Sequence, residues 1–137
     1  MKRIYILCLL MFASPAFAVE PPVPDEFIGD WQPVNSSCKS KVGIRVEKDS
    51  VTLFNGSDSK KLGDLDICYS CEGGVRYSGE VVWLLPEFHS GGGVQFTIFF
   101  NAKEEKGITV IEFEKNENLK KRFPLHGIKL NKCKNKT

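Results

Sequence analysis

An all-β domain, a small antiparallel β-barrel of about eight short strands tied by disulfides, is the fold this sequence predicts. Three features point to it. Apolar and polar residues alternate at a spacing of two, turn residues recur every eight to twelve or so positions, and no stretch of about twelve residues carries the 3.6-residue apolar period of a helix. A two-sheet β-sandwich is the alternative, since the same pattern serves both architectures. Closure into a barrel removes the exposed edges that an apolar β chain otherwise presents.

The first 18 of the 137 residues read as a cleaved export signal. Lys2 and Arg3 form a positive n-region, residues 4–12 an apolar run too short to span a bilayer, and Ala16-Phe17-Ala18 the small-x-small pattern of a signal peptidase site. Cys8 follows Tyr5, Ile6 and Leu7 rather than the small residues that precede a lipid-modified cysteine, so no lipid anchor is expected. The mature chain is expected to begin near Val19, in the periplasm or outside the cell. The compact signal favours a Gram-negative periplasm, while Asn35, Asn55 and Asn135 head formal glycosylation acceptors for a eukaryotic host. The strongest later apolar stretch, residues 94–100, is strand-sized, so no membrane insertion is expected.

The domain plan that follows has a Pro-rich, extended leader over 19–25, a single β domain over 26–133 and a flexible basic tail over 134–137. Residues 1–18 contain two of the 19 Lys+Arg and none of the 17 Asp+Glu, which leaves 17 against 17 in the mature chain. No global field then draws nucleic acid or anionic lipid, and no nucleic-acid partner is expected. The positive charge that remains uneven, Lys120, Lys121 and Arg122 and then Lys129, Lys132, Lys134 and Lys136, reads as a solvated edge and tail.

Export leaves Cys38, Cys68, Cys71 and Cys133, an even number in an oxidising compartment. Three pairings are possible, and Cys38 with Cys133 and Cys68 with Cys71 is favoured. The first would tie the early domain to its last strand and the second would lock a local turn. Cys68-Tyr69-Ser70-Cys71 also has the spacing of a thiol redox pair, but the flanking Asp66 and Glu72 and the absence of a helical pattern oppose thiolate formation. Zinc is not expected, because Cys38 and Cys133 are each alone in sequence and His89 and His126 add no ligand spacing.

In chain order, one short turn is expected near residues 24–27, the only place for helix. Two short strands, 43–47 and 50–54, flank Lys48-Asp49, and Asn55-Gly56 signals a tight turn. Residues 75–85 form the longest strand candidate, broken near Gly79 and ended by Pro86. Residues 94–100 put Val94, Phe96, Ile98 and Phe100 on one face and Gln95 and Thr97 on the other, with Phe99 breaking the pattern toward solvent or a partner. Residues 108–114 set Thr109, Ile111 and Phe113 against Ile108, Val110, Glu112 and Glu114. A polar turn over 115–118 then leads to a strand over 119–125.

Gly29-Asp30-Trp31, on the expected first strand, resembles the Gly-x-Trp motif of the lipocalin and avidin-like (calycin) β-barrel proteins. The resemblance covers the five residues 27–31. It implies a barrel whose tryptophan plugs one end against a basic side chain near the last strand, for which Arg122 or Lys129 would serve, and it implies a carrier of a small apolar ligand.

No Gly-x-Ser-x-Gly elbow and no His-Glu-x-x-His occurs, and Gly91-Gly92-Gly93 precede a strand rather than a helix. Neither an enzymatic activity nor a cofactor is expected. Glu87 and His89 share one side of an extended segment, and Glu104-Glu105 and Asp64 with Asp66 lie in polar turns where ordinary solvation accounts for them. The function expected is an exported, non-catalytic binding protein that recognises another protein, of the periplasmic inhibitor or immunity type. Phe88 and His89 on a long flexible loop over 86–93, with Trp31 and Phe99, are the candidate binding residues. The alternatives are the apolar-ligand carrier and a thiol redox protein using Cys68 and Cys71.

Overall fold

The computed structural model describes residues 23–91 and 93–134. The expected export signal over 1–18, residues 19–22 of the expected leader, Gly92 and residues 135–137 of the expected tail lie outside the described residues. Among the described residues nine strands form one antiparallel sheet: β1 (Gly29–Pro33), β2 (Val42–Val46), β3 (Val51–Asn55), β4 (Asp58–Leu62), β5 (Asp66–Cys68), β6 (Val82–Leu85), β7 (Phe96–Phe100), β8 (Ile108–Phe113) and β9 (Leu130–Lys132). Their order across the sheet is β4-β3-β2-β1-β9-β8-β7-β6-β5. The sheet curls into a half-barrel, one sheet rather than the two of a sandwich.

The topology dictates the curl. In a flat nine-stranded sheet the two edges would lie about 38 Å apart, at about 4.8 Å per strand step. Yet the edge strands β4 and β5 are consecutive in sequence, joined only by Gly63, Asp64 and Leu65. Four residue steps reach about 14 Å at most, so the ends of the two edges must approach and the sheet must bend.

Two meanders, β1–β4 and β5–β8, meet at β9, the last strand in sequence. On one side β9 pairs with β1, Trp31 opposite Lys132 and Pro33 opposite Leu130. On the other it pairs with β8, where Ile108 faces Asn131 and Thr109 faces Leu130. The Cys38–Cys133 disulfide fastens this seam, and Cys68–Cys71 closes the turn after β5; these are the favoured pairings.

The concave side holds the core, including Ile44, Leu53, Leu84, Phe96, Ile98, Ile111, Phe123 and Leu130. Burying each such side chain stabilises by about 1.5–3 kcal/mol. Phe27 stacks on Phe100 at 4.1 Å and Trp31 lies 5.6 Å from the same ring. Of the face expected over 94–100, Phe96, Ile98 and Phe100 are buried in β7, and in β8 the face of Thr109, Ile111 and Phe113 is the buried one.

Several expected elements differ. Residues 117–122 form a short helix, α1 (Glu117–Arg122), where a strand was expected. The Asn116 side chain accepts a hydrogen bond from the Leu119 N–H, Glu117 sits in the first turn, and Lys120, Lys121 and Arg122 sit in the last, all favourable to the helix dipole. A strand would have turned Lys121 toward the core with Leu119 and Phe123; the helix buries those two, four positions apart, and leaves Lys121 exposed. The candidate over 75–85 forms a strand only at Val82–Leu85, because the chain makes a 3-10 turn at Gly74–Arg76. The 94–100 strand begins at Phe96, so Val94 precedes it. Strands β4 and β5 were not foreseen.

Candidate functional site

Alternation along β5–β8 places a second set of apolar side chains on the convex side, away from the core. The register aligns Cys68 with Trp83, Trp83 with Phe99 and Phe99 with Val110, one row across four neighbouring strands. Trp83, Phe99 and Val110 are all partly exposed. The Trp83 and Phe99 rings meet edge to face at 5.0 Å, and the Trp83 indole N–H donates to the Glu72 carboxylate at 3.1 Å. Glu72 directly follows Cys71, so the Cys68–Cys71 turn holds the carboxylate beside the indole.

Beside this row lie Leu85 and Thr97, outward-facing yet only 7% and 2% exposed. They floor a groove of about 760 Å³ between residues 93–95 and the turn from Glu114 to Asn118. The Asn116 amide donates to Gln95 at 2.7 Å, so the residue that caps α1 also ties the two walls together. A second groove of about 360 Å³ shares Trp83 and Glu114 with the first and continues over Phe99 and Val110. Together they make a continuous trough with an aromatic floor.

The trough is rimmed by charge. Glu72, Glu112, Glu114 and Glu117 line it against Lys103 and Lys115. Among the described residues the ion pairs are Arg45–Asp30, Lys61–Glu47, Arg122–Asp58 and Lys129–Glu105, so none engages these four carboxylates. At one end, Glu104 accepts from the Tyr77 hydroxyl and from the Glu80 N–H. These bonds, the tyrosine first, hold the Glu104 carboxyl below its ordinary range; burial first and Glu104 second push the Tyr77 hydroxyl up.

The four candidate binding residues scatter. Phe99 lies in the trough. Trp31 is 2% exposed in the core, its indole N–H donating to the Phe27 carbonyl at 2.9 Å. Of the basic side chains named for it, Arg122 pairs with Asp58 and Lys129 with Glu105. Phe88 is 40% exposed and meets the His89 ring edge to face at 5.0 Å. Their loop is held by the β4–β5 link: the Phe88 N–H donates to the Asp64 carbonyl, and the His89 N–H and Ser90 hydroxyl to the Asp64 carboxylate. Phe88 and His89 do not line the trough.

Sequence reasoning missed Trp83. The signal was present in Val81-Val82-Trp83-Leu84-Leu85, which is apolar on both faces of a strand although the described residues form a single sheet with no second sheet over its convex face. Among the described residues no three His, Cys, Asp or Glu side chains converge as metal ligands, and no helix is long and apolar enough to cross a membrane. No protein-family model, curated protein or solved structure matches the chain.

Proposed function

We propose that this chain is an exported, non-catalytic binding protein that recognises another protein through the convex face of β5–β8. The observation that carries the reading is the row Cys68, Trp83, Phe99 and Val110, an aromatic-centred and partly exposed apolar strip on the outer face of the sheet that no other strand covers among the described residues. Single exposed apolar residues are ordinary, but a contiguous strip with a polar rim marks an interaction surface. Trp is also among the residues that most often dominate binding energy. The carrier reading draws less support, since Phe96, Phe100 and Phe123 fill the concave side. The redox reading draws less too, with Glu72 beside the Cys68–Cys71 pair.

Site-specific photo-crosslinking in the native host tests the proposal, with p-benzoylphenylalanine placed at Phe99 and, as a control, at Thr52 on the outer side of β3. A discrete protein adduct is expected at position 99, weakened by Trp83→Ala and absent at position 52. Equal adducts at both positions, or none at 99, would refute it.

A further inference from the structure

We infer that the occupant of this trough is an extended segment of the partner protein bearing lysine or arginine. The inference rests on the reading of this face as a protein-docking surface and specifies what the face selects. The floor is aromatic, Trp83 against Phe99, and the rim sets four carboxylates, Glu72, Glu112, Glu114 and Glu117, against two ammonium groups, Lys103 and Lys115. The trough is therefore net acidic although residues 19–137 as a whole are formally neutral.

That combination matches a cationic side chain in two ways at once. A guanidinium or ammonium group is attracted to the face of an indole, most strongly when partly desolvated. Its flanking methylenes meanwhile cover apolar floor such as Leu85. The carboxylates are available for this, because no cation of the chain pairs with them among the described residues. An acidic or phosphorylated segment would instead meet like charge on both sides of the floor. The row spans three strand spacings, about 14 Å, the reach of about four extended residues. Alternating side chains of such a segment would face the floor while the others reach the rim.

The test uses the mature, disulfide-bonded protein and three dye-labelled decapeptides, alternating leucine with lysine, with serine or with glutamate, read by fluorescence anisotropy. At about 0.01 M salt, where screening is weak, the lysine peptide is expected to bind at least about tenfold more tightly than the serine peptide. That advantage should vanish in E72Q/E112Q/E114Q, which keeps the floor, and Trp83→Ala should weaken the lysine peptide. Equal binding of the lysine and serine peptides, tighter binding of the glutamate peptide, or indifference to Trp83→Ala would each overturn the inference. So would a concentration-dependent dimer in sedimentation that Trp83→Ala dissolves, since the occupant would then be a second copy. If the lysine peptide fails while the Phe99 adduct persists, the face docks a partner of other chemistry and only this inference falls. If the adduct itself fails, the docking reading and the inference fall together.

Discussion

Removing the Cys38–Cys133 disulfide is expected to destabilise the protein far more than removing Cys68–Cys71, and the reason lies in chain entropy and topology together. The two bridges close sequence separations of 95 and 3 residues. The chain-entropy relation assigns them about 4.7 and about 1.6 kcal/mol at room temperature. The long bridge also lies at β9, whose three residues join the two meanders, and the Cys133 N–H donates to the Asp30 carbonyl at 2.7 Å in that seam. The assay is equilibrium urea unfolding of residues 19–137, of C38A/C133A and of C68A/C71A. C38A/C133A should lose about 4–5 kcal/mol and show a steeper denaturant dependence, because its unfolded chain is no longer held compact. C68A/C71A should lose less than about 2 kcal/mol. Equal losses, or the reverse order, would refute the argument that the long bridge acts by restraining the unfolded chain across the seam.

Three further outcomes follow from particular contacts. The Thr109 hydroxyl is fully buried with no hydrogen-bond partner among the described residues, so Thr109→Val should stabilise by about 1 kcal/mol in the same unfolding assay. A Cβ on Gly43 would lie 2.5 Å from the Trp31 carbonyl oxygen and 2.6 Å from the Phe54 ring, and a sheet backbone cannot yield that distance. Gly43→Ala should therefore destabilise by about 2 kcal/mol, measured as a lower urea midpoint. Glu104 is held below its ordinary value of 4.5 by the Tyr77 hydroxyl and the Glu80 N–H, so its ionised form contributes stability above that pH and the contribution fades as pH falls through the lower folded value. Tyr77→Phe should flatten the loss of thermal stability between neutral and acid pH; an unchanged slope would show that this pair does not contribute.

Much of the β architecture is a local property of the chain. Alternation in β7 and β8 predicted which residues share a face, because a strand turns successive side chains to opposite sides whatever it pairs with. Asn55-Gly56 marked the β3–β4 turn, with Gly56 at φ +64°, a conformation that glycine adopts without strain. The segment over 119–125, expected as a strand, begins as a helix: Leu119, Phe123 and Leu125 fit a spacing of four followed by two, and the Asn116 cap and the charge order favour helix over strand.

The sequence by itself determined an all-β chain, the alternating faces of β7 and β8 and an even set of cysteines whose spacing favoured one long and one local bridge, since each of these depends on neighbours along the chain or on simple counting. The tertiary structure decided the rest. It set the last strand between two meanders, clamped the 86–91 loop onto Asp64, sent Trp31 into the core and Phe99 out of it, and aligned Cys68, Trp83, Phe99 and Val110 into one strip. Those four residues are spread over 42 positions of sequence. Strand register brings them together, and whether a second apolar face is covered depends on what the finished fold places over it.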